Sequence, residues 1–243
     1  MSSSPILKLS AATRDADADA DAGNRPSVVR AVGLSKSLGL RPVLTDVCLD
    51  VAAGDCVALT GANGTGKTTL LRCLAGETRP TSGSIEWFGQ STGAVAVPKQ
   101  RIGVVAHDTR LYPDLSAREN LLFAARMCRV PDAGQRVDEC LQRTGLIRQA
   151  HRSPAQFSRG MQQRLALARA LIHDPDLILL DEPFTGLDQA GTEWLCDLLR
   201  AQRDRGRALV LATHDRLVIT ALAARVALLS GCRLTEDSLP VAA

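Results

Sequence analysis

Gly61-Ala62-Asn63-Gly64-Thr65-Gly66-Lys67-Thr68-Thr69 is the stretch from which the rest of the chain is read. It fits G-x-x-x-x-G-K-[ST], a loop whose successive backbone N–H groups turn inward around an anion. Gly64 and Gly66 permit the positive φ values that such a nest needs. Lys67 then reaches the β- and γ-phosphates of a nucleotide, and the Thr68 hydroxyl suits Mg²⁺. Thr69 extends the first turn of a helix whose positive N-terminal end favours phosphate. The flanks agree with this. Val57-Ala58-Leu59-Thr60 reads as a short buried strand, and Leu70-Leu71-Arg72-Cys73-Leu74-Ala75 as a helix that stops at Gly76. Gly61, Asn63, Gly64, Thr65, Gly66, Lys67, Thr68 and Thr69 are therefore the candidate phosphate-binding residues, and Thr68 is the first candidate metal ligand.

The 243 residues, 45% hydrophobic and 23% charged, suffice for one large α/β domain or two small ones. A net charge of +3, with basic residues scattered instead of clustered, describes a solvated mixed-charge surface and argues against a nucleic-acid partner. Seven cysteines stand far apart with no C-x-x-C pair, which suits reduced thiols used mostly as small core residues. No apolar run approaches the roughly 18–20 residues of a membrane span. The longest candidate, Leu217 to Leu229, is interrupted by Arg225, so any membrane role is expected to be peripheral.

Residues 1–26 open with serines and continue as Asp15-Ala16-Asp17-Ala18-Asp19-Ala20-Asp21-Ala22, a self-repelling run with nothing large to bury. They read as a disordered tail before a folded domain at 27–243. Val28-Val29-Arg30-Ala31-Val32, Val47-Cys48-Leu49-Asp50-Val51 and Ile85-Glu86-Trp87-Phe88 are strand-like and predict a small antiparallel layer beside the nucleotide. Ile102 to Ala106 reads as a buried strand ending at His107. A helical run follows, with Ser116 and Glu119 spaced as a capping box before residues 117–127 and a second helix after Pro131. Residues of about 108–160 are taken as a helical subdomain inserted into the α/β core. Leu177 to Leu180, Ala208 to Ala212 and Val226 to Leu229 then alternate with helices, as in a parallel sheet covered on both faces.

Three further segments bear on the phosphate loop. Asp181-Glu182-Pro183 ends a continuous apolar strand, where Asp181 can hold Mg²⁺ and Glu182 can polarise an attacking water. Without Lys67 upstream, the same pair would read as strand-end charges. Phe157-Ser158-Arg159-Gly160-Met161 starts a helix with Ser158 as N-cap, while Met161, Leu165, Ala168 and Ile172 recur on one face. By itself this is an ordinary capped helix; placed before Asp181, its start, carrying Ser158 and the Gly160 amide, would be a second phosphate-binding surface. Thr213-His214-Asp215 follows the next strand, so a parallel sheet can bring His214 to the nucleotide edge.

In this order the motifs resemble those of the ABC ATPases, the nucleotide-binding subunits of ATP-binding-cassette transporters, over roughly residues 28–232. Gly61–Thr69 looks like Walker A, Phe157–Met161 like the signature motif, and Leu177–Glu182 like Walker B with its catalytic glutamate. Gly186-Leu187-Asp188 is similar to the D-loop and His214 to the switch histidine. The resemblance implies a P-loop NTPase fold with a mostly parallel sheet core, an antiparallel β layer and the inserted helical subdomain. It also implies that ATP and Mg²⁺ are bound and that Glu182 and His214 are catalytic. Two cassettes would sandwich two ATPs, with Ser158 and Gly160 of one facing the γ-phosphate held by Lys67 of the other. The expected partners are a second cassette and integral membrane transporter subunits, at the cytoplasmic face of the inner membrane. A soluble, non-transport member of the family would instead carry two cassettes or a long coiled coil.

Three departures qualify the resemblance. His107 takes the place of the usual glutamine and, as a poor ligand for hard Mg²⁺, is expected to contact water or the transporter interface. Leu38 lies where the family stacks an aromatic ring on adenine, which predicts weak base recognition, and nearby Arg41 is a loop arginine whose guanidinium can stack. Phe157 to Leu165 and Leu111 to Phe123 are similar to the ATP-binding subunit of haem exporters for cytochrome c maturation, which implies export, with haem as the cargo. Leu111, Tyr112 and Leu115 serve either a docking surface or the helical subdomain's own core.

Overall fold

In the computed structural model, which describes residues 25–91 and 96–237, the chain builds two sheets and a layer of helices. The tail expectation lies outside the described residues apart from Arg25 and Pro26. β1 (Ser27–Leu38) and β2 (Arg41–Ala52) form a long hairpin, and β4 (Ser82–Trp87) with the short β5 (Gln90–Ser91) completes a four-stranded antiparallel sheet in the order β2-β1-β4-β5. This is the predicted antiparallel layer, with longer strands. Register shifts between Ala31 and Leu34 and again before Lys36, where Gly33 has φ 58, break the alternation on which the shorter strand was read.

The second sheet contains β3 (Cys56–Thr60), β6 (Ile102–Val105), β7 (Leu177–Asp181), β8 (Ala208–Ala212), β9 (Arg225–Ser230) and β10 (Arg233–Asp237), in the order β10-β9-β3-β8-β7-β6. Five strands are parallel, and β10 joins β9 through an antiparallel hairpin that the sequence reading missed. Continuous apolar runs make the central strands because both faces are covered. Leu177 and Leu179 face one core, and Ile178 and Leu180 the other. Ala208, Val210 and Ala212 alternate in the same way with Leu209 and Leu211. The first core lies between the two sheets and encloses α1 (Lys67–Leu74). The second packs under α5 (Gln189–Asp204) and α6 (Arg216–Ala221).

The helical layer is α2 (Ala117–Met127), α3 (Ala133–Arg143) and one face of α4 (Arg159–Leu171). The capping box at α2 is present in full: Ser116 accepts from the Glu119 N–H, and Glu119 accepts from the Ser116 N–H at 2.8 Å. Leu165 and Ala168 of α4, with Ile172 that caps its end, meet Leu121, Val137 and Leu141, whereas Ala166, Leu167 and Ala170 meet the sheet. One helix thus fixes the helical layer to the α/β core. All seven cysteines are free, and four are buried. Burial pushes the Cys56 thiol up to about 12, so it acts as a small apolar side chain.

Candidate active site

The register brings the candidates that follow strands β3, β7 and β8 to one edge. Leu59 and Asp181 both pair with Ala212, so β3, β8 and β7 end on one row. The Thr213 N–H donates to the Leu59 carbonyl at 3.2 Å and the Glu182 N–H to the Ala212 carbonyl at 3.1 Å, which carries the ladder one residue further. Beyond that row the phosphate loop leaves β3, Glu182 follows β7 and His214 follows β8.

The loop's glycines have local causes. Gly61 has φ 139, and a Cβ there would lie 2.4 Å from the Leu229 carbonyl oxygen. Gly66, the N-cap of α1, has φ 110 and would bring a Cβ to 3.0 Å from the Val43 carbonyl. Larger residues are excluded at both positions. α1 has no side-chain cap, so its first N–H groups remain for an anion. Trp87 fixes the other end of the helix, its Nε1 donating to the Leu74 carbonyl at 2.8 Å. Lys67 is only 8% exposed, and its Nζ donates to the carbonyls of Gly61 (2.8 Å) and Ala62 (3.1 Å), so the ammonium lies over the loop.

A cleft of about 730 Å³ opens above this loop. Asn63, Gly64, Thr65, Gly66, Lys67, Thr68 and Thr69 line it together with Asp181 and Glu182. Asp181 is buried at the last position of β7 and has no ion-pair partner among the described residues. Glu182 has φ 50, an uncommon conformation for a non-glycine residue that costs about 1–3 kcal/mol. Its Oε2 lies 3.6 Å from Nδ1 of His214, whose side chain is exposed. His107 is exposed on the cleft wall with the two carboxylates, and the groove beside Tyr112 does not include it.

Ser158 and Gly160 are not among the residues that line the cleft. Ser158 caps α4, with its Oγ accepting from the Met161 N–H at 3.3 Å. A Cβ on Gly160 would meet the Gly186 carbonyl at 3.7 Å, which places the start of α4 against the loop 186–188. Buried Gln163 ties the same helix to the end of β7 by donating from Nε2 to the Pro183 carbonyl at 2.9 Å. Sequence reasoning also missed the wall made by Pro42, Val43, Gly231 and Cys232. The turn Gly231-Cys232, with φ 55 and 65, is a two-residue hairpin turn. The pair Ser230-Gly231 between apolar runs was its signal.

A phosphate loop heading a helix on an α/β sheet, with an acidic pair ending the second strand away, defines a nucleotide-binding cassette of the P-loop kind. Comparison with known proteins narrows the class: the family model "ABC transporter" matches residues 44–185, and the chain belongs to that family. It is 36% identical over 218 residues to the Nod factor export ATP-binding protein I of Rhizobium johnstonii, covering 88% of this chain and 70% of the relative. To the aliphatic sulfonates import ATP-binding protein SsuB 1 of Paracoccus denitrificans it is 40% identical over 205 residues, covering 84% and 80%. Its fold matches a dimeric, post-hydrolysis ATP-binding cassette bound to ADP and Pi with a TM-score of 0.80, at 29% identity, covering 86% of this chain and 97% of that one. The chain is therefore an ABC ATPase, which binds ATP and hydrolyses it to power transport. Among the described residues no helix is long and apolar enough to cross a membrane.

Proposed function

We propose that hydrolysis is carried out by Lys67, Asp181, Glu182 and His214, completed by Ser158 and Gly160 of a second copy. The observation that carries this reading is the convergence of the phosphate loop, a buried unpaired carboxylate and a strained neighbouring carboxylate on one cleft. Lys67 and the loop amides hold the β- and γ-phosphates. Glu182 orients the attacking water and takes up its proton, a contribution of about 10²–10⁴ in rate. His214, 3.6 Å from Glu182 but not among the residues that line the cleft, would steady that carboxylate and turn toward the γ-phosphate. Phosphoryl transfer to water asks for positioning and charge compensation more than covalent help, which is what these groups offer.

The donor set fits Mg²⁺. Asp181 is buried and lacks an ion-pair partner among the described residues, and with the Thr68 hydroxyl it supplies hard oxygen ligands on the same cleft. When bound, the ion would offset charge on the phosphate oxygens.

The subunit works at the cytoplasmic face of the inner membrane, as one of a pair of cassettes beneath integral membrane partners. Tyr112 supports this, being exposed and packed edge-on against Phe123 with ring centroids 5.2 Å apart, whereas Leu111 packs into the helical layer. Buried Asn120 holds the segment in place by accepting from the Tyr112 N–H at 2.9 Å and donating to its carbonyl at 3.0 Å. We read the cargo as exported, and the likeness of residues 111–123 and 157–165 to haem-exporter subunits supports haem, with another exported substrate as the alternative. Glu182→Gln should retain MgATP and lose turnover by about 10²–10⁴; wild-type turnover would overturn the assignment. Purification from native membranes should bring down integral membrane subunits with haem. A membrane complex without haem transfers the reading to another exported cargo.

A further inference from the structure

Among the described residues, nearly every buried polar side chain has a partner or a place on the nucleotide cleft. Asn120, Thr144, Gln163 and Thr213 are hydrogen-bonded, Lys67 lies over the phosphate loop and Asp181 lies on the cleft. Gln202 has neither. It is 7% exposed, and its side-chain amide makes no hydrogen bond among the described residues. Leu195, Leu199 and Gln202 form one buried row on α5 at helical spacing, so the third place suits an apolar residue. An amide left there unpaired costs stability that an apolar side chain would keep.

Gln202 lines a cavity of about 50 Å³ that shares no residue with the nucleotide cleft. The space takes one small group of atoms. Cys140 of α3, Leu171 of α4 and Leu198 of α5 give it apolar walls. Exposed Arg143 and Arg205 line it too, their guanidiniums without hydrogen-bond or ion-pair partners among the described residues. Asp174, the one carboxylate on the cavity, already pairs with Arg207 at 2.6 Å, and Arg136 donates to the Ile172 carbonyl at 3.2 Å. The ends of α3 and α5 do not engage the two free arginines. There the Cys140 carbonyl accepts from the Thr144 hydroxyl, and the Gln202 carbonyl from the Arg205 and Arg207 N–H groups.

We propose that this cavity is a binding site for a small, short-chain organic carboxylate, held by Gln202, Arg143 and Arg205. The carboxylate pairs with the guanidinium forks and accepts from Nε2 of Gln202, which gives the buried amide its missing partner. The few carbons rest on the apolar walls. Because α3 belongs to the helical layer and α5 to the α/β core, the bound anion braces the joint between them.

The test is thermal melting and equilibrium titration of the full chain with sodium propionate, set against sodium chloride, inorganic phosphate and uncharged propionamide at equal ionic strength. Propionate should raise the melting temperature as its concentration rises, as a ligand of the folded state does, and chloride and propionamide should not. Gln202→Leu should melt above the native chain in chloride and lose the response to propionate, which a merely structural glutamine would not do. Replacing Arg143 and Arg205 together by alanine should weaken propionate by about tenfold or more. Gln202→Glu keeps the shape and brings its own carboxylate to the guanidiniums, so it should exclude propionate even if the leucine variant does not fold. Equal melting of the native chain in propionate and in chloride, tighter binding of phosphate than of propionate, or a native response in Gln202→Glu overturns the proposal.

Discussion

Two helix starts in this molecule can meet phosphate, and they are built in opposite ways. α1 begins at Gly66 with no side-chain cap, inside the cleft, and is held by packing: Leu70 and Leu74 are fully buried and Trp87 bonds the last turn. α4 begins at exposed Ser158, whose own hydroxyl caps it, and is anchored by Gln162 to the Pro154 carbonyl and by Gln163 to the Pro183 carbonyl, each at 2.9 Å. An uncapped start leaves orphan N–H groups that an anion can satisfy at once, and it tolerates them because the site is made by the same chain. A capped start is stable by itself on the surface and can wait for a ligand carried by another molecule. On the proposed reading, the difference teaches that the first start belongs to a site this chain nearly completes and the second to a half-site.

The largest break in that comparison is Ser158→Arg. Losing the cap costs only about 1 kcal/mol, so the protein should still fold. A bulky cation at the start of α4 should abolish turnover of saturating ATP while equilibrium ATP binding at Lys67 stays close to native. If ATP binding falls with turnover, Ser158 belongs to the same cleft as Lys67 and the two starts are not separate.

A smaller effect is expected where the two regions are joined. Gln163 is buried on α4 and bonds Pro183, the residue after Glu182. Gln163→Ala removes that bond and leaves the Pro183 carbonyl without its side-chain donor, at a cost of about 1–3 kcal/mol. Because the released segment carries Glu182 and not the phosphate loop, kcat should fall about tenfold with KM little changed. An equal loss in ATP affinity would show that α4 supports the binding half as well.

The same contrast explains what the sequence could reveal. The α1 start was legible residue by residue because its chemistry is local: glycines at fixed offsets, then Lys67 and Thr68, between a buried strand and a helix. The strands β7 and β8 were legible to within a residue because both faces are buried and the apolar run is unbroken. The cap of α4 was legible too, since Ser158 acts on a neighbour three residues away. What lay beyond reach depends on distant partners. The cleft wall of Pro42, Val43, Gly231 and Cys232 exists because the Thr45 N–H donates to the Cys232 carbonyl at 2.7 Å, which joins β2 to the last hairpin across most of the chain. The Gln163–Pro183 bond and the positive φ of Glu182 have no signature in spacing either.

The smallest effect is predicted for His107, the residue that departs from the family pattern beside the α1 site. It lies exposed on the cleft wall with Asp181 and Glu182, so proximity alone would make it a metal ligand. Its chemistry argues otherwise. Mg²⁺ takes oxygen ligands, holds its waters tenaciously and is usually bound by one or two carboxylates plus substrate phosphates, which on the proposed reading Asp181, Thr68 and the nucleotide would provide. An imidazole nitrogen competes poorly for such an ion. His107→Gln should therefore leave MgATP affinity nearly unchanged, measured by titration at fixed magnesium, although the new side chain supplies an amide oxygen. A large loss on substitution would mean that the wall opposite the loop holds the nucleotide as firmly as α1 does. The uncapped helix start would then no longer account for binding by itself.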